Sequence, residues 1–141
     1  MEAIPLTHLA AILLCALALG GTVVYAAVFS AMLTDGILSD VRAPLIRTPS
    51  HPYYSVLIVL SGVAAILLWS RSEASVLTAI AVLFVFTRFA MMPRIDRARE
   101  ASRAGNAEEA ETFAHLGNLN SVVHLAQMAA LTTVFLHLLL V

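Results

Sequence analysis

A chain of 141 residues with 60% hydrophobic and only 12% charged residues is not an ordinary soluble domain, since such domains carry roughly 25% charge. The net charge of −1, with all eight basic residues arginine and interleaved with Asp96, Glu100, Glu108, Glu109 and Glu111, excludes a nucleic-acid partner. Mean hydropathy of +0.90 places the whole chain in the bilayer as one domain. The single cysteine, Cys15, allows no intramolecular disulfide and says nothing of the redox compartment.

The reading is an all-α integral membrane four-helix bundle, with helices at about 7–33, 53–69, 74–92 and 107–139. The opening Met-Glu-Ala-Ile-Pro has an acid where a signal peptide needs a basic region, and the apolar run from Leu9 to Met32 is too long for one. It is therefore read as the first membrane helix, with Pro5 suited to its start. Ala16, Ala18, Gly20, Gly21, Ala26, Ala27 and Ser30 give it small faces for close packing.

Residues 34–52 read as a loop. Asp35-Gly36 makes a turn, and Pro44, Pro49 and Pro52 oppose a continuous helix. Ile37, Leu38, Val41, Leu45 and Ile46 suit at most a short interfacial helix. Tyr53 and Tyr54 sit where an aromatic belt belongs, with Trp69 as the opposite belt residue. The short turn Ser70-Arg71-Ser72-Glu73 makes helices two and three antiparallel neighbours.

Pro93 marks either the exit of helix three or a kink in it. Residues 94–103 have helical composition, Gly105 is a natural stop, and Asn106 with Glu109 resembles a capping box. Helices three and four are thus expected to extend beyond the bilayer as a hairpin. The first and third loops carry Arg42, Arg47, Arg94, Arg97, Arg99 and Arg103, against Arg71 alone on the other side. The positive-inside rule then puts the hairpin in the cytoplasm and both termini outside.

The last helix holds most of the unusual residues. Asn120, His124 and Gln127 share one face at i, i+4, i+7, while His115 and Asn118 lie on another. His8, Cys15 and Thr22 form a matching stripe on helix one. If these stripes meet, the bundle has a polar seam: a ligand, ion or proton site, or else interhelical hydrogen bonds worth roughly 0.6 kcal/mol each. Arg88, a turn inside helix three, either faces inward beside His115 or Asn118 as an anion site or reaches out to lipid phosphate. His8 with His137, and His51 with His115, fall near the two surfaces. Facing histidines can hold haem b, or copper with Met91 or Met92. No Ser-His-Asp, Cys-His or glycine-rich phosphate motif is present, so no catalytic residue is assigned.

Several stretches resemble a known family. Gly20-Gly21 precedes an aromatic, apolar half-helix; helix three ends in Arg88-Phe-Ala-Met-Met-Pro93-Arg-Ile-Asp96; and the last helix opens with Phe113-Ala-His115 and then either Asn118 or Asn120. This is similar to the four-helix family typified by human transmembrane protein 205, whose bacterial members are domains of unknown function, and the chain is expected in a bacterial inner membrane. The resemblance implies a non-enzymatic transport or tolerance factor, or an accessory subunit of a larger membrane complex or homo-oligomer. A second resemblance, through Asn120 in the last helix, is to anthrone-oxygenase-like membrane proteins, where His124 with Asn120 would supply a base and a pocket.

An optical spectrum and elemental analysis of protein purified in mild detergent separate the two classes. A colourless, metal-free sample is expected. A Soret band lost in His8→Ala or His137→Ala would establish the haem alternative instead.

Overall fold

The computed structural model describes residues 5–34 and 39–140, with side-chain surroundings for 5–27 and 52–140. The turn expected at Asp35-Gly36, the positions of Ile37 and Leu38, and the side chains of Arg42, Arg47 and His51 lie outside the described residues. Among those described, the chain forms four helical rods and no strand. They are α1 (Leu6–Thr34), α2 (Ser39–Leu67), α3 (Glu73–Arg103) and α4 (Ala107–Leu140).

Leu6–Ala27, Glu73–Arg103 and Ala107–Leu140 are long and apolar enough to cross a membrane. The apolar section of α2, Pro52–Leu67, is shorter. Leu13, Val24, Val59, Val82, Val122 and Leu136 are all exposed, so the outer surface is as apolar as the core. Water would penalise such a surface heavily; hydrocarbon does not.

Backbones approach closely between α1 and α2, α2 and α3, α3 and α4, and α4 and α1. The diagonal pairs make no close backbone approach among the described residues. The rods therefore stand around the bundle in chain order, which the sequence leaves open. α1 turns its small stripe inward: His8, Ala11, Cys15, Ala18 and Thr22 are buried. α4 answers with Asn120, His124, Gln127, Leu131, Val134 and Leu138. Both stripes alternate steps of three and four, the spacing that keeps residues on one face.

Three local expectations are corrected. α2 begins at Ser39 and runs through Pro44, Pro49 and Pro52 without a break. An interior proline costs roughly 3 kcal/mol, but Pro44 lies in the early turns, and the apolar section behind the other two is held between α1 and α3. Tyr54 is not a belt residue but fully buried, and Tyr53 is partly buried beneath Tyr25. Asn106 caps α4, its Oδ1 accepting the amides of Glu108 and Glu109 at 3.1 and 3.3 Å. The reciprocal half of a capping box is absent because the Asn106 amide is already spent on the Ala101 carbonyl, 3.2 Å away, in the turn made by Gly105 at φ +93°.

α3 passes Pro93 through a π turn at Thr87–Met91, where the Met92 amide donates to the Thr87 carbonyl five residues back. Proline supplies no amide, and the wider turn just before it absorbs the irregularity. Beyond it Ile95 and Ala98 remain buried, and Arg99 lies over the Phe113 ring of α4, 5.4 Å from its centroid.

Two positions two residues apart on α1 test this packing. Ala18 is buried, so Ala18→Leu should destabilise the bundle by about 1–3 kcal/mol through overpacking. Gly20 has open space around it, so Gly20→Ala should be neutral or stabilising by up to ~1 kcal/mol. Thermal unfolding in mild detergent reads both.

Candidate functional site: a buried polar layer

The two stripes do meet. His124 Nε2 lies 3.2 Å from the Thr22 carbonyl, and His8 Nε2 lies 3.0 Å from the Leu138 carbonyl. Fourteen residues separate the contacts on α1 and fourteen on α4, so the antiparallel register holds without slip. That spacing is ~21 Å along the rods. Between the contacts the seam is apolar, with Ala11, Cys15, Ala18, Leu131 and Val134 all buried. There are thus two polar layers with an apolar plug between them.

The His124 layer is the richer. Tyr25 stacks on Tyr53 with centroids 4.2 Å apart and planes 8° from parallel. Tyr53 meets Tyr54 edge-on at 5.1 Å. Tyr25 also reaches the His124 ring at 5.5 Å, and Phe84 of α3 closes on Tyr54 at 6.3 Å. Gly21 faces this cluster, where a Cβ would make ordinary contact with Leu57 and Tyr53 at 3.8 and 4.0 Å. The tyrosine cluster is not evident from the aromatic-belt reading. The signal was Tyr25 itself, three residues after Thr22 and on the same stripe.

Hydrogen bonding divides the buried polar groups in two. Hydroxyls are satisfied within their own helices: Thr22 donates to the Leu19 carbonyl at 2.7 Å, Ser61 to Leu57 at 2.6 Å and Thr87 to Leu83 at 2.9 Å. Short side chains reach the preceding turn; amides and imidazoles do not. Accordingly, among the described residues, Tyr53 Oη, Tyr54 Oη, Asn120 Oδ1, His124 Nδ1 and both polar atoms of Gln127 are buried in this layer with no partner, as is His8 Nδ1 in the other. Asn120 and Tyr54 are close neighbours, and a small rotation would pair them. That leaves His124 Nδ1, Gln127 and Tyr53 Oη still unmatched. A carbonyl only accepts, so His124 Nε2 carries the hydrogen, and Nδ1 of the neutral ring is a bare acceptor.

Arg88 joins neither His115 nor Asn118. Both of those are exposed on the outside of α4, and the inward anion site expected from them does not form. Arg88 Nη1 instead donates to Ser55 Oγ on α2, with the Phe89 ring 5.0 Å from the guanidinium. The π turn sets this direction, because Arg88 lies within it.

At the other layer, His8 and His137 turn to different neighbours. His8 binds the Leu138 carbonyl, while His137 Nε2 lies 3.2 Å from Glu73 Oε1 of α3. Among the described residues no group of three or more His, Cys, Asp or Glu side chains could hold a metal ion. No known protein family, characterised protein or solved structure matches this chain.

His8 is buried whereas His137 is 57% exposed, so the two clamps on the end of α4 differ in strength. His8→Ala should cost about 1–3 kcal/mol and raise amide exchange over the last turn of α4, because it strips a buried hydrogen bond. His137→Ala should cost under ~1 kcal/mol. Hydrogen exchange with mass spectrometry distinguishes them.

Proposed function

We propose that this chain is a small integral membrane protein that binds a small molecule inside the bilayer, acting in transport or tolerance rather than in covalent chemistry. One observation carries the reading: of seven buried polar atoms without partners among the described residues, six lie on Tyr53, Tyr54, Asn120, His124 and Gln127 in one layer of the bundle, and four of these stay unmatched even when Asn120 turns to Tyr54. An unpaired polar group in hydrocarbon costs several kcal/mol. A bundle built only for packing would fill these positions with leucine. Interhelical adhesion accounts for His124 Nε2 on Thr22, but not for Nδ1 of the same ring or for Gln127.

Depth supports a one-sided site. With the His8 layer at one membrane surface, the His124 layer lies ~21 Å in, which is ~9 Å short of the other side of a ~30 Å hydrocarbon core. Arg94 is six residues beyond Arg88 on α3 and would reach that surface. The arginine-rich side is cytoplasmic by the positive-inside rule, with 92–113 projecting there and both termini outside. The apolar plug then argues against a continuous pore. The resemblance to the transmembrane-protein-205-like family fits a tolerance role of this kind.

Gln127→Leu tests the reading. A residue kept for binding is dispensable for folding, so this variant should melt at a higher temperature than the parent protein in mild detergent. A fall in melting temperature, matching the loss of an interhelical bond, would instead make the seam structural and remove the proposal's support.

A further inference from the structure

Resting on that binding-site reading, we infer that the ligand is uncharged and brings hydroxyl or N–H donors. Once Asn120 and Tyr54 pair, two of the atoms still unmatched only accept: His124 Nδ1 and Gln127 Oε1. Gln127 Nε2 and the hydroxyl of Tyr53 can donate. A ligand that both donates and accepts is the complement of this set, and an alcohol or primary amide head does both.

Charge is opposed in either sign. The buried polar residues of this layer are Thr22, Thr87, Asn120, His124 and Gln127, with no carboxylate among them to balance a cation. The faces that might draw a cation are partly used, since Tyr25 and Tyr53 stack on each other. Arg88 stands next in sequence to buried Thr87, at the level of this layer, and repels a second positive charge in a medium that screens poorly. An anion would meet the bare acceptors of His124 and Gln127 and the negative faces of the tyrosine rings. Arg88 turns to Ser55 and the Phe89 ring, not to these acceptors.

The same hydroxyl chemistry comes either from a membrane lipid or from a polyol in water, and one experiment covers both. Protein in phosphatidylcholine nanodiscs is irradiated at neutral pH with three photoactivatable twelve-carbon probes bearing a diazirine beside the head group. The heads are alcohol, carboxylate and amine, and adducts are located by peptide mass spectrometry. The alcohol should label residues 53–54 and 120–127 about tenfold more than either charged probe, the ratio of ~1.4 kcal/mol in affinity. Gln127→Leu and Asn120→Leu should each lower that labelling severalfold, while Thr133→Val on the exposed face should not. Excess glycerol suppresses the adducts if the natural source is aqueous and leaves them if it is lipidic; either result supports the class. Equal labelling of those peptides by a charged probe, still lost in Gln127→Leu, would overturn the inference about charge while the site stood. No labelling there by any probe, or alcohol labelling indifferent to Gln127→Leu, would overturn the site as well.

Discussion

Hydrocarbon offers no hydrogen bonds, so every polar group placed in it must be matched by the protein or by something the protein holds. The helices answer for the backbone, and serine and threonine answer for themselves by bonding the preceding turn. What remains in the His124 layer are side chains too long to fold back: Asn120, His124, Gln127 and the tyrosine hydroxyls. Their grouping in one layer gives this small bundle an inside worth describing as a site.

That grouping depends on α1 and α4 lying in exact step. His8 and His124 each place a ring nitrogen on a backbone carbonyl of the opposite helix, ~21 Å apart. A carbonyl acceptor is insensitive to side-chain identity, so the clamp fixes position without demanding a particular partner residue. Small residues between the clamps, Ala11, Cys15 and Ala18, let the rods come close enough for both contacts to form. The stacked Tyr25 and Tyr53 then occupy the space where α1 and α2 meet.

Much of this could be seen in the sequence because bilayer and helix periods are strong constraints. The four rods follow from apolar length, and the stripes His8–Cys15–Thr22 and Asn120–His124–Gln127 from helical spacing; both stripes are buried. Local rules failed where tertiary packing outweighed them. Prolines predicted a loop over 34–52 and the chain makes helix from Ser39. Tyr53 and Tyr54 suited a membrane interface by position, yet Tyr53 stacks on Tyr25 and Tyr54 is fully buried. Arg88 was given neighbours by sequence proximity of levels, but its direction depends on an irregular turn that no periodicity announces.

That turn has a consequence for the whole of α3. A π turn holds one residue more than the regular helix, and each residue advances the facing by about 100°. The stretch Met92–Arg103 therefore takes its orientation from the Thr87–Met91 turn and not from the phase of the helix before it. Contraction of the turn to regular helix would swing Ile95 and Ala98 off α4 and carry Arg99 away from Phe113. The bundle thus contains a phase adjuster, one residue wide, that lets the core of α3 and its distal extension each satisfy a different neighbour.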